Sequence, residues 1–280
     1  MSAAVREQAP PREGLTERVR WAIHDGLVLT RRNLLRYVRI PTLLVFSTVQ
    51  PVMFVLLFRY VFGGAITALP PGARTYVNYL MPGIFVQTAI FGATQTGIGL
   101  AEDLASGIID RFRSLPTARS AVLAGRTTAD LFRNLFVVLL MTAVGYLVGF
   151  RFQEGAAFAA LAIGVAVLVG FAFSWISATI GLAIREVESV QAASFVWIFP
   201  LTFASSAFVP IEGMPGWLQA FARNNPVTIW ANTMRGFTLG EEFVRAIGET
   251  MGGLVLRSAV WIALILVVFV PLSIRIYRRT

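Results

Sequence analysis

Six stretches of this 280-residue chain are so long and so apolar that they decide its solvent before any other feature is weighed. They occupy residues 42–64, 75–101, 134–150, 155–184, 189–211 and 258–274, and apart from Arg59 in the first none carries a formal charge. A hydrocarbon layer about 30 Å thick is crossed by roughly 20 helical residues, with about 17 to 25 as the working range. Inside lipid every backbone polar group needs a partner within its own segment, and a helix supplies one. The runs therefore predict an all-α integral membrane protein with six transmembrane helices. The third and sixth runs are short, and Arg133, Arg151, Arg257 and Arg275 at their ends are expected to snorkel to the interfaces. Only 14% of the residues are charged, against about 25% in a soluble domain.

The residue types exclude much chemistry. All 24 basic residues are Arg, there is no Cys, and His24 is the one His. A Walker-type loop needs a Lys on the β/γ-phosphates and a Schiff-base enzyme needs a Lys amine, so neither can be built here. Zinc, haem and iron–sulfur sites lose their usual thiolate and imidazole ligands, and no disulfide can form. No catalytic residue, metal site or cofactor is expected in this chain. If ATP drives the protein, another chain binds it, together with Mg.

The arginines also set an expected topology. Of the 24, 17 lie in residues 1–41, 102–133, the loop at 185 and the tail 275–280. Positively charged loops stay cytoplasmic, so these segments and both termini are expected on the inner side of a plasma membrane. A net charge of +9 in a soluble domain would suggest nucleic acid. Here the charges flank spans, topology explains them, and no nucleic-acid partner is expected. Residues 1–15 lack periodicity and read as a disordered cytoplasmic tail. Residues 16–41 carry apolar side chains at 19, 23, 27, 34, 35 and 38, with Arg20, Arg31, Arg32, Arg36 and Arg39 beside them. That spacing predicts an amphipathic helix lying on the inner membrane surface among lipid headgroups.

The most charged internal segment is "GIIDRFRSLPTARSAVLAGR", residues 107–126. Ile108, Ile109, Phe112 and Leu115 share one helical face, Asp110, Arg111 and Arg113 turn away, and Pro116 ends the turn. Thr117 is placed to cap a second short helix over 118–125. Two readings fit: an interfacial helix dipping into lipid, or a knuckle with an apolar stripe and an arginine rim that docks in a groove of a cytoplasmic partner.

These residues, with a second stretch, resemble a known family. "SSAFVPIEGMPGWLQAFARNNPVTIWANTMRGFTLG", residues 205–240, carries Pro210, Met214, Pro215, Trp217 and Leu218, followed by Asn225-Pro226 and Arg235-Gly236. Together with residues 107–126 and the six-run layout, it is similar to the membrane subunit of ABC-2 type exporters of the daunorubicin-resistance or multidrug kind. The resemblance implies a permease that dimerises with a second copy of itself and is driven by two separate cytoplasmic ABC ATPase subunits. It also implies that Ile108, Ile109, Arg111, Phe112, Arg113 and Leu115 form the ATPase-coupling helix, and that residues 16–41 form an interfacial connecting helix.

Residues 205–240 hold three prolines around one short amphipathic turn, so they cannot make a full span. Trp217 suits a membrane interface. The resemblance implies short re-entrant helices closing the extracellular end, with Pro210, Glu212, Pro215, Trp217 and Arg235 in that cap. Glu212 and Arg235 are expected to pair, because opposite charges near lipid are costly alone. The second run interleaves Gln87, Thr94 and Gln95 with glycines, which suits helix contact or a substrate path. Phe199 and Phe203 of the fifth add aromatic surface for an amphiphile. The acidic residues, Glu102, Asp103, Asp130, Glu154, Glu186 and Glu188, are expected at span ends, which disfavours proton coupling. The expectation is ATP-driven export of an amphiphilic drug or lipid-like compound from a bacterium. The alternatives are a lipid-linked glycan exporter, a partner-independent secondary transporter, and a membrane scaffold that moves nothing.

Overall fold

The computed structural model describes residues 24, 26–35, 39, 41–66, 69–107 and 119–279. Every regular element among them is helical. We label α1 Pro41–Leu56, α2 Tyr76–Ala105, α3 Arg119–Leu147, α4 Ala156–Ile184, α5 Val187–Phe203, α6 Gly216–Asn224, α7 Pro226–Leu239, α8 Glu241–Ala246 and α9 Met251–Arg279. Four of these, in α2, α3, α4 and α9, are long and apolar enough to cross a membrane by length and composition. The first and fifth apolar runs form shorter helices, Ser47–Phe62 and Val187–Phe203.

The helix limits differ from the sequence expectation in three instructive places. The short helix expected over 118–125 is not separate: α3 runs unbroken from Arg119 to Leu147. Its buried positions, Leu123, Arg126, Thr127, Asp130, Arg133, Asn134, Val137, Val138 and Met141, fall on one continuous face, so burial carries the helix through the charged part. The fifth run stops at Phe203 instead of 211. There Asn225 donates through Nδ2 to the carbonyls of Leu201 and Ala204 at 2.7 and 2.9 Å, satisfying groups that a helix end leaves open. The same Asn225 accepts from the Val227 amide and so caps α7, with Pro226 at its first position. The first run changes from α- to π-helix over Leu57–Phe62.

At the centre stands α2, buried along nearly its whole length and touching α1, α3, α4, α5 and α7. Its closest neighbour is α4. A Cβ at Gly97 would press on the backbone of Ser177, and one at Gly181 would lie 2.8 Å from the backbone of Gly97, so the two helices meet backbone to backbone. Small residues permit that approach, and in lipid such van der Waals packing is a main source of helix association. α9 closes the bundle against α4 and α7. There Thr179 and Ser273 share a hydrogen bond at 2.7 Å, as do Thr233 and Ser258. The segment between α5 and α9 folds inward. α7, with 14 residues, is too short to cross but almost wholly buried in the bundle.

The helical residues 26–35 lie against the start of α3. Leu29, Thr30 and Asn33 are buried, and Thr30 Oγ1 reaches the Gly125 carbonyl at 3.3 Å. Leu27 and Leu35, on the expected apolar face, point outward.

Candidate functional site

The long face of α3 carries a chemistry that the span-end reading of its charges did not anticipate. Arg126, Asp130 and Arg133 recur at helical spacing on the same side as Leu123, Val137 and Met141, and all three are less than a tenth exposed. They are not snorkelling residues at a span end. Arg126 donates to Asp103 of α2 at 3.2 Å and to the Gln95 carbonyl at 3.4 Å, and its Nε lies 3.9 Å from Asp130. Arg133 donates to the Gly92 carbonyl at 2.7 Å and lies 3.6 Å from Asp130, which also accepts from Thr96. Arg32, from the N-terminal helical residues, reaches Asp103 at 3.6 Å. One buried network thus joins the N-terminal helix, the last turns of α2 and the first half of α3. The signal was present in sequence: the spacing 126, 130, 133 matches the apolar stripe of the same helix.

The arginines are seated on glycines. A Cβ at Gly99 would overlap the Arg126 guanidinium, and one at Gly92 would lie 3.3 Å from the Arg133 guanidinium. Arg126 and Arg133 both line a cavity of about 290 Å³ whose other walls include Thr88, Thr94 and Gln95 of α2, Asn33, and Gln191 and Phe195 of α5. Of the residues expected along a substrate path, Thr94 and Gln95 therefore share one cavity. Gln87 does not line it; it is buried elsewhere on α2, with Oε1 lacking a hydrogen-bond partner among the described residues.

Phe199 and Phe203 belong to a row of rings that begins at this cavity. Phe91, on its wall, meets Phe199 edge-on at 5.4 Å and Phe195 at 6.1 Å. Phe199 stacks on Phe203 at 5.7 Å, Phe203 meets Phe208 at 5.1 Å, and Phe208 stacks on Phe58 at 4.6 Å. Phe58 then meets Phe62 at 5.3 Å, in the π-helical turn that follows α1. Phe199 and Phe203 are about two-fifths exposed, so the row presents an open aromatic surface on one side of α5. Offset and edge-on ring contacts of this kind add about 0.5–1.5 kcal/mol each beyond area burial.

The residues expected in an outer cap are divided. Pro210 precedes the turn Ile211–Gly213, Glu212 lies in that turn, Pro215 precedes α6, and Trp217 on α6 is three-quarters exposed. Arg235 is elsewhere: it is fully buried on α7. Its Nε donates to the Tyr79 carbonyl at 2.9 Å, Nη1 to Ser206 Oγ and Asn232 Oδ1 at 2.9 and 2.8 Å, and Nη2 to the Ser206 and Ala207 carbonyls at 2.7 and 3.1 Å. The five guanidinium hydrogens thus have five acceptors. The expected pairing with Glu212 is absent: among the described residues no ion pair within 4 Å joins them, and Glu212 is exposed. The carbonyls released where α5 ends early have taken the role that a carboxylate was expected to fill. The six residues expected to couple to an ATPase, Ile108, Ile109, Arg111, Phe112, Arg113 and Leu115, lie outside the described residues.

No group of three or more His, Cys, Asp or Glu that could hold a metal occurs among the described residues. Comparison with known proteins adds identity to the geometry. The sequence pattern of the family described as ABC-2 type transporter matches residues 25–239, which include the arginine network, the cavity and α7. The chain is 36% identical over 260 residues to the daunorubicin resistance ABC transporter permease protein DrrB1 of Streptomyces coeruleorubidus, covering 92% of this chain and 87% of that one. It is 30% identical over 275 residues to the probable doxorubicin resistance ABC transporter permease protein DrrC of Mycobacterium tuberculosis (strain ATCC 25618 / H37Rv), covering 98% and 95%. A more distant similarity, 26% over 216 residues, covers 76% of this chain and 73% of the putative transport permease ycf38 of Cyanophora paradoxa.

Proposed function

We propose, from the premise that this chain belongs to the ABC-2 type transporter family, that it is the permease subunit of an ATP-driven exporter that moves an amphiphilic compound out across a bacterial plasma membrane. Two copies of the chain form the translocating unit, and two cytoplasmic ABC ATPase subunits bind ATP and Mg. Both termini and the arginine-rich end of the bundle face the cytoplasm. The segment 108–115 docks on the ATPase through Ile109 and Phe112, and closure of the ATPase pair alternates access at the interface between the two permease copies.

The observation that carries the amphiphile reading is the junction of a polar cavity with the aromatic row. Thr94, Gln95, Arg126 and Arg133 give one end of a bound molecule polar partners, while Phe91, Phe199 and Phe203 give its body an apolar path. An ion channel would have no use for the second part. A proton-coupled carrier would use buried acids, and Asp103, at the expected end of α2, and Asp130, inside α3 and not at its end, are both buried. Asp103 is engaged by Arg126 across helices, and Asp130 by Arg126 and Arg133 of its own helix and by Thr96 across to α2, which suits structural counter-ions.

The test is purification of the tagged protein from its native membrane in mild detergent, followed by identification of its companions and a hydrolysis assay. A stoichiometric ATPase with vanadate-sensitive turnover is the expected result. Ile109→Glu and Phe112→Glu should leave the permease folded but lower substrate-stimulated hydrolysis and ATPase retention by about tenfold or more. Solute transport by an ATPase-free preparation would overturn the proposal.

A further inference from the structure

We propose that the cavity between α1, α2, α3 and α5 receives the anionic head of an amphiphile, while the body of that molecule lies along Phe91, Phe195 and Phe199. The inference deepens the exporter reading and rests on it for the direction of transport, but the binding claim stands on the cavity itself.

The first argument is the placement of charge. Arg126 and Arg133 both line the cavity, whereas the carboxylates that balance them, Asp103 and Asp130, are not among the lining residues. Glu102, in the last turn of α2, is the one carboxylate on the wall among the described residues. The cluster's charges balance, so the preference comes from the atoms that reach the ligand: guanidinium N–H groups only donate, and an anion would gain charge-assisted hydrogen bonds from them.

The second argument is unused hydrogen-bonding capacity. Arg126 commits Nη1 to Asp103 and Nη2 to the Gln95 carbonyl, and each terminal nitrogen carries a second hydrogen. Thr88 lines the cavity, and its Oγ1, closed off from solvent, has no hydrogen-bond partner among the described residues. Leaving a buried hydroxyl unpaired is unfavourable, and a rotation of its χ1 toward the cavity would let a ligand oxygen satisfy it. Gln95 on α2 and Gln191 on α5, both exposed, line it from two walls. Guanidinium, hydroxyl and amide donors converging on one space of about 290 Å³ fit a sulfonate, phosphate or carboxylate with some of its hydration.

The third argument is the exit from that space. Phe91 and Phe195 are lining residues as well as the first rings of the aromatic row, so the head site and the apolar path are continuous. A molecule with an acidic head and a flat apolar body would occupy both at once.

Two fluorescent compounds separate the terms: 8-anilinonaphthalene-1-sulfonate and N-phenyl-1-naphthylamine share an aromatic body, and only the first carries an anion. Binding of each is titrated to the purified permease–ATPase complex in phosphatidylcholine nanodiscs, with empty nanodiscs subtracted. The sulfonate is expected to bind about tenfold tighter or more, the size of one charge-assisted hydrogen bond. Gln191→Leu and Thr88→Val are expected to weaken the sulfonate by about three- to tenfold and to shift the neutral compound by less than twofold. Thermal unfolding of each variant checks that the bundle is intact. Equal affinity for the two compounds, or parallel losses of both in the variants, would overturn the anionic-head site. Vanadate-sensitive hydrolysis by the same complex, measured separately, reports on the exporter reading, so each idea fails on its own result.

Discussion

The guanidinium of Arg235 lies over the ring of Tyr79, 3.6 Å from Cζ to the ring centroid, and donates through Nε to the carbonyl of the same residue. One side chain of α7 is thereby clamped to one turn of α2 by its face and by its edge. The remaining donors hold the irregular residues Ser206 and Ala207, so Arg235 fixes the place where α5 ends. Replacing it with Leu would strand several buried carbonyls, each costing about 1–3 kcal/mol. Arg235→Leu should therefore destabilise the bundle by at least about 3 kcal/mol, and Arg235→Lys should recover little, because an ammonium cannot present the planar fork. Glu212→Gln should change stability by less than about 0.5 kcal/mol. Thermal loss of the monodisperse peak in detergent measures all three, and a severe Glu212→Gln defect would revive the ion pair that the geometry lacks.

What the sequence made legible follows from which forces dominate. Six apolar runs announce themselves because lipid tolerates little else; each holds a helix, and four of those helices are long enough to cross a membrane. The limits of those helices were less legible, because they depend on tertiary partners: Asn225 closes α5 from 21 residues away, and burial extends α3 back to Arg119. The polar residues were hardest. Asp130 and Arg133 read as span-end charges, and Arg126 as part of a cytoplasmic segment, until the face they share with Val137 and Met141 is considered. Arg235 read as half of an ion pair because charge is visible in a sequence, while the five acceptors around it are mostly backbone and side-chain oxygens that only the fold brings together.

The Arg126–Asp103 contact is open to a direct test of coupling. Either single change, Arg126→Gln or Asp103→Asn, leaves a buried charge with fewer partners, so each should cost more than the pair removed together. A double-mutant cycle on unfolding free energy should give an interaction of about 1–3 kcal/mol. Gly99→Ala should break the same contact from the other side, since the new methyl would occupy the guanidinium's seat. Adding Arg126→Gln to Gly99→Ala should then restore part of the stability. A Gly99→Ala protein as stable as the wild type would refute the seating.

Backbone contact between α2 and α4 makes a second, chemically different demand. At Gly97 and Gly181 the atoms met by a new Cβ belong to backbone, which cannot rotate aside. Gly97→Ala and Gly181→Ala should each cost about 1–3 kcal/mol through forced separation of the helices. Gly164 on α4 has nothing within 4 Å of an added Cβ, so Gly164→Ala serves as the control and should be neutral or slightly stabilising. Unfolding in a graded denaturing detergent would rank the three.

The aromatic row predicts how transport should fail when its middle is removed. Phe199 and Phe203 are exposed on α5 and contribute little to the buried core, so Phe199→Ala and Phe203→Ala should leave folding nearly intact. Each ring lost removes about 0.5–1.5 kcal/mol of face contact from a bound aromatic body, plus its apolar area. In vesicles containing the complete complex, apparent KM for an aromatic amphiphile should rise by about three- to thirtyfold, and the double variant should lose more than either single one. A loss of that kind confined to aromatic compounds, with ATP hydrolysis retained, is the signature of a path. Equal impairment for aromatic and aliphatic compounds would instead assign the row to packing against a second copy of the chain. The double variant's oligomeric state in nanodiscs distinguishes the two roles, because a packing row that is cut in half should release the partner, whereas a path should not.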